Sequence, residues 1–143
     1  MKAYDLERFV KAQEYDYSAA LAEIRAGHKR SHWIWYIFPQ LEGLGRSHMA
    51  KFYGIEDIDE ARAYLAHPVL GARLKEICEA LMQLKSSDPG EVMGGFPDDM
   101  KLHSCMTLFA VISEEGSVFH DVLHKFFGGE MDKNTLAIIN GKN

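Results

Sequence analysis

The sequence predicts an all-α fold: one compact domain over residues 1–143, built from about six to eight short helices packed orthogonally. Three observations carry this. Apolar residues recur at three- and four-residue spacing in several separate stretches, no segment sustains the period-two alternation of a half-buried strand, and Gly27, Pro68 and Gly128 punctuate the periodic runs. At 143 residues, 47% apolar and 26% charged, the chain is large enough for its own core and has the composition of a soluble globular protein.

Asp5 is placed to cap a first helix carrying Leu6, Phe9, Val10 and Gln13, and Ser18 to cap a second carrying Leu21 and Ile24 and closed by Gly27, which together predict a helical hairpin. The stretch from Trp33 to Phe38 points apolar groups in every direction of a helix, so other helices must enclose it. Met49, Ala50, Phe52 and Tyr53 suggest a helix entered from the loop Gly43-Leu44-Gly45-Arg46-Ser47. From Pro68, a favoured first-turn residue, to Leu84, the residues Leu70, Leu74, Ile77, Cys78 and Leu81 form one stripe opposite Arg73, Lys75, Glu76 and Glu79. Residues 85–97, rich in Ser, Pro and Gly, read as a long loop. A helix over 98–112 carries two apolar sides, one with Leu102, Cys105, Met106 and Phe109, the other with Leu108 and Val111, and is therefore central. Phe119, Val122, Leu123 and Phe126 make a further helix stopped by Gly128, and Asp132 caps a last one through Leu136 and Ile139. The helices of 68–84 and 98–112 are expected to pack against the Trp33–Phe38 segment.

With 21 acidic against 16 basic residues the net charge is -5, which argues against a nucleic-acid binder with a broad cationic face. Two cysteines cannot supply a disulfide framework, and no apolar run approaches about 18 residues, so the expectation is a cytoplasmic protein with reduced thiols and no membrane partner. Cys105 falls on an apolar stripe and reads as an inert core thiol.

Three places could carry chemistry. The first is the segment from Ser31 to Gln40, which holds both tryptophans. It is either a packing element or the wall of a pocket in which Trp33 or Trp35 stacks on a planar ligand, with His32 and Gln40 at the rim. Lys29 and Arg30 precede it and the glycine-containing loop with Arg46 and Ser47 follows, a setting that would offer donors to a phosphate. Gly43-x-Gly45 lacks the third glycine of a dinucleotide fingerprint and no P-loop is present, so no cofactor is expected. The second place is the 98–112 helix, where Lys101 and Ser104 share one side. A lysine there must find an anionic ligand, a carboxylate such as Asp98 or Glu42, or water. The third is His120 and His124, four apart as metal ligands on one helix face are, but without a third ligand; they read as a solvated flank, and no metal is expected.

The motifs Asp5-Leu6-x-Arg8-Phe9-Val10-x-Ala12-Gln13, Lys29-x-Ser31-His32-Trp33-Ile34-Trp35-Tyr36-Ile37-Phe38-Pro39-Gln40-Leu41-x-Gly43-Leu44-Gly45, His67-Pro68-x-Leu70-Gly71 and Lys101-Leu102-x-Ser104-x-Met106-Thr107-Leu108-Phe109 resemble an uncharacterised bacterial family, domain of unknown function 1810. Some of its members carry the label calpastatin, a disordered and repetitive inhibitor that this compact, aromatic-rich composition does not fit. The resemblance runs from Tyr4 to about Leu136 and implies a single, mainly helical domain with no established activity. More distantly, the Ala12-Gln13 helix, the aromatics and a pocket lysine are similar to helical proteins proposed to act on NAD or ADP-ribose derivatives, an analogy of fold only. The resulting expectation is a pocket for a small anionic ligand, a nucleotide or ADP-ribose-like compound, held by Lys29, Ser31, His32, Trp33, Trp35, Gln40, Arg46, Ser47, Lys101 and Ser104, with Lys29, Arg46 and Lys101 converging. The alternative is a non-catalytic interaction or structural module whose core is the aromatic segment.

Overall fold

A computed structural model describes residues 3–141. Among them are nine helices: α1 (Glu7–Arg25), α2 (Ile34–Ile37), α3 (His48–Phe52), α4 (Ile58–Ala66), α5 (Leu70–Met82), α6 (Pro89–Met93), α7 (Asp98–Val111), α8 (Val118–Phe127) and α9 (Lys133–Gly141). The fold is all-α, as its periodicity predicts. The count exceeds six to eight because α2, α3 and α6 are helices of four or five residues.

The expected hairpin before Gly27 is instead one helix of 19 residues. Ser18 is exposed in its middle, where a cap-forming residue is tolerated because its hydroxyl faces water. Asp5 does not cap it either: Leu6 is the N-cap and has no side-chain bond. The first turn is held by Arg8, whose guanidinium donates to the carbonyls of Asp5, Phe52 and Gly54 and to the carboxylate of Glu60. Glu60 is 2% exposed, and its second oxygen accepts the backbone N–H of Glu56. A charge buried that deeply is tolerated only when paired and hydrogen-bonded, as it is here. This pair brings in α4, a helix outside the sequence expectation, capped by Asp57, which accepts the N–H of Glu60.

Gln13, 2% exposed on α1, donates to the carbonyl of Tyr36 at 2.7 Å and to the hydroxyl of Tyr64 at 3.0 Å. One amide thus ties α1 to α2 and α4. Beside it runs a file of rings, Phe9 on Tyr64, Tyr64 on Phe109 and Phe109 on Phe119, with centroids 5.1, 5.5 and 5.6 Å apart. Edge and tilted contacts at such distances add to the area term and link α1, α4, α7 and α8 through one connected core.

The stripe of α5 is buried as its period predicts, and His67 caps the helix by accepting the N–H groups of Val69 and Leu70 on Nδ1. At Gly71 a Cβ would lie 2.0 Å from the carbonyl oxygen of Leu65, so only glycine permits the tight turn from α4 into α5. Within the expected 85–97 loop, Asp88 caps α6, whose Val92 and Met93 are buried. α7 is central: Leu102 and every residue from Ser104 to Ala110 are buried, and it packs on α2, α4, α6, α8 and α9. Val111 departs from the expected second apolar side and is 39% exposed. α5 packs chiefly on α1, α4 and α8, so of the two long helices expected on the tryptophan segment α7 is the one that holds it. Gly128 stops α8 in the left-handed region, φ +63, and Asp132 caps α9.

Cys78 and Cys105 are fully buried and free, and burial pushes both thiols far above their ordinary value, which leaves them inert. Among the described residues no helix is long and apolar enough to cross a membrane.

Candidate functional site

The segment after α2 runs through Gln40 and the buried Leu41, where backbone bonds from Ile55 to the Gln40 carbonyl (2.9 Å) and from Glu42 to the Ile55 carbonyl (2.8 Å) pin it in a single parallel bridge. It then turns back into α3. At Gly45 a Cβ would lie 2.6 Å from the Cβ of Ala50, so the loop lies directly on its own helix, and Ser47 caps α3 by accepting the N–H of Ala50 at 3.1 Å. Opposite stands the start of α7, and the linker from α8 to α9 closes one end. A cleft of about 320 Å³ remains between them. Its polar lining is Gln40, Arg46, Ser47, Lys101, Ser104, Asp132 and Asn134; Leu44, Ala50, Phe96, Pro97 and Met100 supply the apolar part. The volume is at the small end of the range for ligand sites.

Lys101, Gln40 and Ala50 also line a narrow inner chamber of about 10 Å³ whose wall is Trp35. The ammonium of Lys101 lies 5.1 Å from the Trp35 ring centroid, within cation–π range. The indole N–H of Trp35 is buried with no hydrogen-bond partner, and space for about one water or one ligand atom is available beside this residue.

Lys101 has a carboxylate nearby, Asp98, at 3.8 Å, too far for a hydrogen bond. The short contact of Asp98 is to Lys29, at 2.8 Å. Two lysines thus share one carboxylate, Lys29 closely at Oδ2 and Lys101 at longer range at Oδ1. Arg46 is exposed on the far lip of the cleft. Asp132 is the acid in the lining, and its Oδ2 already accepts the N–H and the hydroxyl of Thr135.

Of the residues singled out from sequence, Gln40, Arg46, Ser47, Lys101 and Ser104 line this cleft and Trp35 the chamber behind it. The other four lie outside that lining, and two of them, Ser31 and Trp33, are bonded to Glu23 of α1. Its carboxylate accepts the backbone N–H groups of Arg30 and Ser31, the Ser31 hydroxyl and the indole N–H of Trp33, at 2.6–3.0 Å. Burial alone would raise the carboxyl of Glu23, but these bonds outweigh it and hold the group down at about 2. Trp33 is 1% exposed, a core residue, and His32 is exposed with its carbonyl accepting from Tyr36. Lys29 is buried over the Trp33 ring and bound to Asp98, so it meets Lys101 at that carboxylate and does not line the cleft, where Arg46 and Lys101 are the cations.

Phe96, Met100, Asp132 and Asn134 were outside the sequence expectation. Phe96 carried a signal of its own: an aromatic between two glycines and a proline, in a loop, with no periodic partner. It is 77% exposed. His120 is used locally, Nδ1 bonding with the Ser117 hydroxyl at 2.7 Å, His124 is exposed, and among the described residues no group of three His, Cys, Asp or Glu is placed to hold a metal ion.

Fold and cleft together describe a small all-helical protein with a cation-bearing surface pocket against its central helix. The chain belongs to the family described as "Protein of unknown function (DUF1810)", whose profile matches residues 3–139. It is similar to a solved structure, the crystal structure of the conserved hypothetical protein Rv1873 from Mycobacterium tuberculosis, at 45% identity over 96% of this chain and 97% of that one, with a TM-score of 0.92. No curated protein matches it.

Proposed function

We propose that the cleft binds a small ligand with an anionic group and a flat apolar part, of the nucleotide or ADP-ribose-like kind. One observation carries the reading: Lys101 lines the cleft with its ammonium against the Trp35 ring, and its one ion pair, to Oδ1 of Asp98, is long at 3.8 Å while Lys29 holds the other oxygen at 2.8 Å. A charge partly withdrawn from water needs a counter-charge, and an anion in the cleft would supply it together with Arg46 across the opening. Phe96 and Met100, 77% and 49% exposed at the mouth, offer an apolar surface for the flat part.

The same exposed pair supports a second reading, an interaction module that seats a partner's side chain. Ligand-dependent stabilisation separates the two. A thermal-shift series with inorganic phosphate, ribose 5-phosphate, AMP and ADP-ribose is expected to stabilise the fold, by about 2.7 kcal/mol when the ligand stands at 100 times its dissociation constant. The module reading predicts no shift with any of them.

A further inference from the structure

From Ser104 in the lining of the cleft, a chain of hydroxyls with one consistent order of hydrogens runs into the core. Ser104 of α7, 3% exposed, lies 2.9 Å from the hydroxyl of Thr135, which is fully buried. Thr135 in turn donates its hydroxyl hydrogen to Oδ2 of Asp132 at 2.5 Å. A carboxylate oxygen only accepts and a hydroxyl has one hydrogen, so Thr135 has none left for Ser104. Ser104 must therefore be the donor of the bond between them, and its own hydrogen is spent.

The neighbouring contacts hold this order in place. Oδ2 of Asp132 also accepts the N–H of Thr135 at 3.0 Å. The N–H of Asp132 donates to the hydroxyl of Thr107 at 2.9 Å, and Thr107 gives its hydrogen to the His103 carbonyl at 2.9 Å. Two hydroxyls one turn apart on α7 thus grip the start of α9, and reversing the Ser104–Thr135 bond would give up the short hydroxyl–carboxylate contact of Thr135 with Asp132.

We infer that Ser104 offers the cleft only oxygen lone pairs, and so selects a ligand that carries a hydrogen-bond donor, a hydroxyl or an amine, about one helical turn from its anionic group. The inference rests on the anion reading of the cleft. Lys101 precedes Ser104 by three residues, a separation that puts their Cβ atoms roughly 5–6 Å apart. One end of the site attracts negative charge, and the other repels the lone pairs of a second phosphate or carboxylate while welcoming a sugar hydroxyl. The fitting class is a phosphate ester of a hydroxylated molecule, which among the ligands proposed above favours a monophosphate such as AMP over a compound that presents a pyrophosphate to the site; free pyrophosphate fits poorly.

The test is calorimetric titration of the whole chain with inorganic phosphate, ribose 5-phosphate and pyrophosphate, on wild type and on two variants. Wild type is expected to bind ribose 5-phosphate more tightly than inorganic phosphate. Ser104→Ala should weaken ribose 5-phosphate roughly tenfold, the worth of one hydrogen bond, and leave inorganic phosphate unchanged. Thr135→Val keeps the Ser104 oxygen but frees its hydrogen, and should shift the ratio of affinities toward pyrophosphate. Circular dichroism checks that each variant is folded, and if Thr135→Val fails to fold, Ser104→Ala decides alone. If the ratios stay at their wild-type values in both variants, or wild type binds phosphate and ribose 5-phosphate equally, the inference is wrong while the anion site stands. If wild type binds none of the three, both fall.

Discussion

The ammonium of Lys29 lies 2.8 Å from a carboxylate oxygen of Asp98, with 5% of the lysine side chain exposed against 22% of the aspartate. The pair joins the turn after α1 to the first turn of α7 and leaves Lys101 a longer contact, 3.8 Å, to the other oxygen of Asp98. Lys29→Met is expected to cost about 2 kcal/mol, less than a fully buried pair because Asp98 stays partly solvated and has Lys101 to turn to. The urea midpoint should fall with no change in slope. The same variant should weaken anion binding, since Asp98 then competes for Lys101; unchanged stability together with unchanged binding would contradict the assignment.

Glu23 makes stability depend on acid. Its folded value, held at about 2, is below the ordinary 4.5, so its contribution is complete above pH 4.5 and is lost as pH falls toward 2. Wild type should exceed Glu23→Gln in unfolding free energy by a constant margin between pH 7 and 5, and the margin should close between pH 4.5 and 2. Urea unfolding followed by tryptophan fluorescence across that range measures it. A margin undiminished at pH 2.5 would show that the carboxylate charge is not what organises the turn at Trp33.

Phe96 tests the flat part of the ligand. At 77% exposure its removal should change stability by less than about 0.5 kcal/mol. Phe96→Ala should weaken AMP roughly five- to tenfold, the scale of one base stacked on an aromatic ring, and leave ribose 5-phosphate unaffected. Phe96→Trp should retain AMP. Equal weakening of both compounds would place the base elsewhere.

How far these features could be read in advance follows from their range along the chain. The stripes of α5 and α8 lie on one face, so period alone exposes them. The buried side of α4 includes Glu60, which belongs there only because Arg8, 52 residues away, neutralises it, and no local pattern announces that. Ser18 looks like a helix cap by type but sits inside α1. At the cleft, Arg46, Ser47, Lys101 and Ser104 are suggested by their neighbours in sequence, whereas Asp132 and Asn134 arrive by the return of the chain into α9. Trp33 and Trp35, two positions apart and alike in type, part company because Glu23 folds back onto one of them and Lys101 onto the other.

The central claim is that Lys101 faces a ligand and is not one half of a structural ion pair. Lys101→Met keeps the packing of the stem and removes the charge. Calorimetric titration of ribose 5-phosphate into wild type and this variant, with the ligand-free unfolding free energy of each, is the direct measurement. The cleft reading predicts measurable binding by wild type, at least a tenfold loss in Lys101→Met, and a ligand-free stability within about 1 kcal/mol of wild type. Absence of binding by wild type, together with a loss of about 3 to 5 kcal/mol in the ligand-free variant, would instead make Lys101 a structural partner of Asp98.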